Sequence, residues 1–360
     1  MPSLREAQHR HAQNYRDIYY EARELYLKGN EDVLRGLKIF EQEQLHLESA
    51  FKSLQLRSDY ESSRLLISLV SVLNPTNEIR FPPHQRVRWL EAQHRAAQIT
   101  GNRRAEGTAL GNMGLAYADS GDSRKAIHYC EQHLLIARET GDQIGESNAL
   151  GNLGIAYKNL GDARKAIEFH ERALAIDRAI GNRRGEGADL GNLGLAYAAL
   201  GDIQKAIEFH EKRLAIAQEL GDRRREGSAL GNLGIAYGKL GNMHKAIELY
   251  RQQLATVSEI GDRLGECNAF GNLGGAYRET GDRHKAIEFY DLQLTSARKI
   301  GNQRAEGNAL FGSALVLYQL NMQAQATDRA EAALQIMEAI EDPYAAVIRN
   351  SLSQWRGQSS

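Results

Sequence analysis

The sequence predicts an all-α protein made of an array of repeated helix pairs. Three observations carry this: glycines spaced 40 residues apart, two amphipathic helical stretches within each period, and no proline from 84 to 342. Gly101, Gly141, Gly181, Gly221, Gly261 and Gly301 form one series, each followed by Asp or Asn. Gly121, Gly161, Gly201, Gly241 and Gly281 form a second. Between them GNLGIAY stands at 151–157 and again at 231–237, and KAIEFHE at 165–171 and again at 205–211. A fixed period on this scale outranks local signals, because one unit then dictates the whole fold.

Taken in order, residues 4–28 and 31–56 read as two helices separated by Gly29-Asn30, within an N-terminal helical segment of residues 1–58. Residues 59–102 form a degenerate helix pair, with its first helix near 59–73 and Pro75, Pro82 and Pro83 in a long loop. Its second half aligns at the 40-residue offset with 124–142, matching Glu91 to Glu131, Ala97 to Ala137 and Thr100 to Thr140. Residues 103–300 hold five regular units. In one of them Leu150, Leu153, Ala156, Tyr157 and Leu160 follow helical spacing, as do Ala166, Ile167, Ala173, Leu174 and Ile176 after Gly161-Asp162. Each Gly-Asp or Gly-Asn pair ends one helix with a left-handed Gly and caps the next with a side-chain oxygen. Loops this short make neighbouring helices antiparallel.

Glycine inside helix A (Gly154, Gly194, Gly234) and alanine inside helix B (Ala166, Ala206, Ala246) imply close approach of helix axes. Tyr117, Tyr157, Tyr197, Tyr237 and Tyr277 share one position, which reads as core. Residues 303–340 form a degenerate sixth unit in which Phe311-Gly312 replaces Gly-Asn, Ala314 replaces Gly, Leu317 replaces Tyr and Asn321 replaces the loop Gly. Atypical terminal repeats are expected of caps. Asp342-Pro343 then offers an N-cap and a proline at the first helical position, so 343–356 is expected to be a capping helix.

Composition narrows the function. Lys plus Arg number 45 against 46 Asp plus Glu, a net charge of −1, so there is no global basic field for nucleic acid or an anionic membrane. Cys130 and Cys267 are the only cysteines, which excludes a disulfide framework and a Cys-x-x-Cys metal or redox motif and points to a reducing cytoplasm. The N-terminal residues show no apolar signal core, and no run of 18 apolar residues exists.

The order Leu153-Gly154-x-x-Tyr157, then Ala166, Phe169 and Ala173, resembles the tetratricopeptide signature, with about six extra residues per unit. The likeness covers roughly residues 101–340 and is similar in repeat length to LGN/Pins-type adaptors and bacterial signalling proteins. It implies a right-handed superhelix, an α-solenoid, whose A helices line a concave face that binds a partner's segment. The N-terminal stretch HRHAQNYRDIYYEAREL, with LEAQHRAAQITGN before the repeats, is similar to the region after the nucleotide-binding core of STAND-type signalling ATPases.

Motifs for chemistry are missing. There is no GxxxxGK[ST], GxSxG or HExxH, and GxGxxG would need a preceding strand. His170 and His210 are equivalent, as are His244 and His284, but two imidazoles without further ligands make no metal site. An array that repeats each candidate acid and base isolates no catalytic pair. No enzyme, cofactor or metal is expected.

One polar series resists a purely structural account. Asn112, Asn152, Asn192, Asn232 and Asn272 sit in mid-helix, where Asn costs several tenths of a kcal/mol against Ala. A carboxamide suits the N–H and C=O of an extended peptide whatever its side chains. One turn earlier stand Thr108, Asn148, Ala188, Ser228 and Asn268, and three residues on stand Leu115, Ile155, Leu195 and Ile235. Arg104, Arg184 and Arg224 add positive charge at one rim, favouring an acidic segment. By resemblance to other tetratricopeptide superhelices, the asparagines are expected to hold a peptide backbone or a terminal carboxylate. The alternatives at this stage are that each Asn bonds the neighbouring repeat, and that each Arg pairs with Glu106 or Glu186. The expected function is a cytoplasmic, non-enzymatic scaffold for a protein or peptide partner, with no nucleic acid or membrane as partner. A STAND sensor region and a Rap-like peptide-responsive regulator stand as alternatives.

Overall fold

Each helix hairpin starts and stops as the glycine series predicts. In the computed structural model, which describes residues 3–28, 31–73 and 83–357, every glycine of both series has a positive φ between 63° and 89°. The following Asp or Asn accepts a hydrogen bond from the backbone N–H three residues on, as Asp142 does from Gly145 (3.0 Å) and Asp162 from Lys165 (3.1 Å). Where the sixth unit lacks the glycine, Asn321 takes the left-handed conformation instead, at φ 61°.

All elements are helical, with no strand among the described residues. They are α1 (Leu4–Lys28), α2 (Glu31–Gln42), α3 (Gln44–Gln55), α4 (Tyr60–Leu73), α5 (Pro83–Thr100), α6 (Arg103–Asp119), α7 (Ser123–Glu139), α8 (Gln143–Asn159) and α9 (Ala163–Ala179). There follow α10 (Arg183–Ala199), α11 (Ile203–Glu219), α12 (Arg223–Lys239), α13 (Met243–Glu259), α14 (Arg263–Glu279), α15 (Arg283–Ile300), α16 (Gln303–Gln319), α17 (Gln323–Ala339) and α18 (Ala345–Gly357). Consecutive helices pack as pairs, the arrangement of an α-solenoid. By packing the chain divides into two units, residues 1–209 and 210–360, with the boundary inside α11.

In the first unit α1–α5 share an apolar core that includes Tyr19, Phe40, Leu47, Phe51, Leu69 and Trp89 and continues onto α6 through Leu110 and Met113. The single helix expected over 31–56 is two helices, broken at Glu43. Tyr19 donates its hydroxyl to the Phe40 carbonyl at 3.2 Å, the acceptor that a continuous helix would offer to Gln44. Gly29-Asn30, Pro75 and Pro82 lie outside the described residues.

In the second unit the sixth helix pair ends on α18, where Ile348, Leu352 and Trp355 cover Leu310, Phe311 and Ala314. Trp355 stacks on Tyr318 with centroids 4.4 Å apart. Asp342 accepts from the Tyr344 backbone N–H (2.9 Å), and the helix begins two residues later than its sequence signature suggests.

The repeated tyrosine is only partly core. Tyr277 is buried, but Tyr117, Tyr157, Tyr197 and Tyr237 are half-buried. In the first unit Tyr117, Tyr157 and Tyr197 stack on Tyr129, Phe169 and Phe209 at 5.2–5.3 Å, and Lys125, Lys165 and Lys205 lie 4.8–5.1 Å from the tyrosine ring centroids. These three lysines therefore each make a cation–π contact.

Candidate functional site

In the first unit, one face of α6, α8 and α10 carries the predicted polar series. Arg104, Ile144 and Arg184 are exposed, as are Thr108, Asn148 and Ala188 a turn later. Asn112, Asn152 and Asn192 are half-exposed, followed by Leu115, Ile155 and Leu195. In the second unit α12 and α14 repeat the pattern with Arg224 and Leu264, Ser228 and Asn268, Asn232 and Asn272. Asn112, Asn152, Asn192 and Asn232 make no side-chain hydrogen bond to any described residue. Asn272 differs, donating to Gln253 Oε1 at 3.4 Å. Bonding to the neighbouring repeat thus accounts for Asn272 and leaves four carboxamides open.

The arginine series is already engaged. Arg104 pairs with Asp142 (2.9 Å), Arg224 with Asp262 (3.7 Å) and Arg304 with Asp342 (2.6 Å). The carboxylate in each case precedes the next helix one repeat on, rather than being Glu106 or Glu186. Burial acts to raise the Asp142 carboxyl, but the Gly145 N–H and the Arg104 guanidinium outweigh it and hold the group below its ordinary range. Arg184 is exposed.

The first-turn glutamates are staples between helices. Glu106, Glu186, Glu226 and Glu266 are buried. Glu106 accepts from Arg103 (2.6 Å) and from Gln98 on α5 (3.2 Å), and Glu226 from Arg223 (2.5 Å) and Gln218 on α11 (3.1 Å). Glu186 accepts from Arg178 on α9 at 2.8 Å and also from Arg183. Burial penalises the Glu186 anion, yet the two guanidinium groups keep its carboxyl below the ordinary value.

The helix-internal glycines make room for the facing helix. A methyl group at Gly114 would overlap Cys130, at Gly154 the His170 ring, at Gly234 the Tyr250 ring and at Gly274 the Tyr290 ring. At one level helix B thus carries Cys130, His170, His210, Tyr250, Tyr290 and Ala330, and three residues on His133, Ala173, Arg213, Gln253, Gln293 and Ala333. These columns hold the array's chemical variety, which reading each helix separately missed. They were visible as departures within a repeated column.

Two positions stand out. In the first unit His170 Nδ1 lies 3.4 Å from Asp189 Oδ1, with His170 1% and Asp189 5% exposed. Asp177 is also buried and accepts from Asn182 Nδ2 at 2.8 Å. Burial pushes the Asp189 carboxyl up to about 6, the His170 contact opposes this, and the neighbouring Asp177 adds to it. In the second unit His210 and Arg213 begin a similar centre that has no carboxylate bonded to it. His210 Nδ1 and Arg213 Nε are both buried without a hydrogen-bond partner. Burial, then the Arg213 charge, pushes the His210 imidazole down to about 4.

No group of three or more His, Cys, Asp or Glu among the described residues is arranged to hold a metal. Burial raises the Cys130 thiol to about 12, which makes it inert packing. No described helix is long and apolar enough to cross a membrane.

The tetratricopeptide repeat family model matches residues 105–179, 186–259 and 265–339, more than half of the chain. The chain belongs to the tetratricopeptide repeat family. No curated protein matches its sequence. Among solved structures it is similar to aspartyl phosphate phosphatase F from Bacillus subtilis, with TM-score 0.63 and 12% identity over 95% of this chain and 96% of that one. It is similar also to a STAND signal-transduction ATPase with a tetratricopeptide repeat sensor from Pyrococcus horikoshii, with TM-score 0.63 and 16% identity over 100% of this chain and 63% of that one. A Rap protein complexed with competence and sporulation factor aligns over 98% of both chains with TM-score 0.57 and 14% identity. At these identities the likeness is one of fold.

Proposed function

We propose that this tetratricopeptide repeat protein is a non-enzymatic, cytoplasmic scaffold that holds an extended segment of a partner protein on the A-helix face. The observation that carries this is the set of free, half-exposed carboxamides of Asn112, Asn152, Asn192 and Asn232 at one position in successive repeats. Each offers two donors and an acceptor to a peptide backbone. Asn148 and Asn268 a turn earlier extend the polar surface, and Leu115, Ile155, Leu195 and Ile235 supply apolar contact. Asn272, Arg104 and Arg224 contribute only by exchanging their internal partners for the ligand, whereas Arg184 is exposed for an acidic residue.

The test compares proteins retained from lysate by the full chain and by an Asn152→Ala, Asn192→Ala, Asn232→Ala variant that melts at the same temperature. Loss of the retained proteins from the variant supports the face. Equal retention by both removes these asparagines from any ligand.

A peptide-responsive regulator is the second reading, favoured by the near end-to-end match to a Rap protein solved with competence and sporulation factor. A sensor region working with a nucleotide-binding domain is the third, since this chain spans 63% of the STAND ATPase it resembles.

A further inference from the structure

Three buried titratable side chains meet in one repeat of the first unit. His170 and Asp177 stand two turns apart on α9, and Asp189 faces them from α10. The sister repeats carry Ala, Val or Met where Asp177 stands and Ala where Asp189 stands, so packing alone calls for neither carboxyl. Asp177 Oδ1 accepts from Asn182 Nδ2 at 2.8 Å, the side chain that also caps α10 through the Gly185 N–H (3.2 Å). A methyl group at Gly185 would overlap the other Asp177 oxygen, so the α10 backbone closes directly over this carboxyl. Asp189 Oδ1 lies 3.4 Å from His170 Nδ1, and Asp189 Oδ2 is buried with no hydrogen-bond partner. A carboxylate buried in this way is costly unless a proton neutralises it.

The charges on the surrounding helices are spoken for. α8 turns Gly151 and Gly154 toward Asp189 and His170, its Ser147 donates to the Ala173 carbonyl, and its Glu146 accepts from Arg138 (2.7 Å). Arg178 on α9 and Arg183 on α10 both donate to Glu186, and Arg184 is exposed. At the start of α11 Lys205 and Glu208 are exposed. The charged groups that act on the Asp189 carboxyl are His170, which favours its anion, and Asp177, which opposes it.

We propose that His170, Asp177 and Asp189 are a proton-operated latch between α9 and α10. With one proton held among the three groups the helices stay packed, and the anion that remains lies on Asp177, where Asn182 donates. Release of that proton to solvent sets two buried carboxylates against each other and lets the contact open. Burial, opposed by His170 and aided by Asp177, pushes the Asp189 carboxyl up to about 6. The closed state therefore binds the proton more tightly than an opened, hydrated one, so opening rises with pH between about 4 and 6 and levels off above. Asn192 stands one turn beyond Asp189 on α10, so the latch bears on the proposed peptide face; that consequence rests on the peptide reading, and the latch itself does not.

Hydrogen exchange of the full chain without ligand, read by mass spectrometry at pH 5 and pH 7.5 and corrected for the intrinsic rate at each pH, measures the opening. Residues 163–199 are compared with 243–279, the equivalent stretch that carries Tyr250, Val257 and Ala269 at the three positions. Opening of 163–199 should be about tenfold greater at pH 7.5 than at pH 5, while 243–279 stays level. Asp189→Asn, which keeps the shape and cannot ionise, should abolish the difference, and Asp177→Asn, which removes the opposing carboxylate, should reduce it. Asp189→Ala, the residue of all five sister repeats, gives the same readout should the carboxamide fail to fold. A wild-type stretch whose protection does not change with pH overturns the latch, as does a response that any of these variants leaves undiminished.

Discussion

The buried imidazole of the first unit meets a carboxylate, and that of the second does not. His170 meets Asp189 at 3.4 Å, with Asp177 and Asn182 behind it, whereas His210 Nδ1 and Arg213 Nε are buried without a hydrogen-bond partner. The backbone, glycine spacing and capping are alike in both. The difference lies in a few column substitutions, and it shows that a uniform repeat supplies a scaffold on which single positions decide the local charge.

The sharpest way to break this comparison is to make the first unit resemble its sisters. All five sister repeats carry Ala where Asp189 stands. The native Asp189 carboxyl titrates near 6 against an ordinary 3.8, so the folded state binds its proton more tightly than the unfolded state. Wild type then bears an ionisation cost above pH 6 that disappears as pH falls toward 4. The stability difference between Asp189→Ala and wild type should therefore shift by about 3 kcal/mol in all, about 2 kcal/mol of it between pH 8 and pH 4.5, with the variant relatively more stable at pH 8. Urea unfolding at pH 4.5 and pH 8 measures it; a difference independent of pH would mean that the carboxyl is not held neutral by burial.

A smaller effect is expected where the column carries Tyr250 instead of a charge. Gly234→Ala places a methyl group inside the Tyr250 ring and should cost about 2 kcal/mol through overpacking, read as a lowered denaturation midpoint. Removing the unanswered charge comes next: Arg213→Gln should raise unfolding stability by about 1 kcal/mol without ligand, against the usual direction for a half-buried residue. A destabilised variant would mean that Arg213 has an internal role. The smallest change is Arg104→Ala, whose exposed pair with Asp142 should be worth under about 0.5 kcal/mol and weaken with salt.

The helix boundaries were legible because Gly followed by Asp or Asn is a local instruction, and α6–α17 need little else to be placed. The break at Glu43 was not, since no Gly or Pro marks it and its cause is a contact from Tyr19 on another helix. The candidate site divides in the same way. Position 112 and its equivalents stood out by residue type alone, but whether each carboxamide was free depended on the facing residue, and only Gln253 engages its asparagine. The burial of Glu106 was not legible because Gln98, one of its two partners, belongs to the preceding helix, while Arg103 stands three residues before it on its own.

The left-handed glycines have open space around the missing side chain, with no atom within 4 Å of a Cβ built at Gly121, Gly161 or Gly201. Only their φ is constrained, and each carries the start signal of the next helix beside it. A stretch running from one such glycine to its equivalent 40 residues later is thus a self-contained cassette. Unequal crossing-over between cassettes would lengthen or shorten the protein by whole periods without a junction to repair, whereas losing one residue inside a helix would turn every following side chain by about 100°. Duplication changes the number of repeats, and column substitutions such as Asp189 and Arg213 then give individual copies their own chemistry.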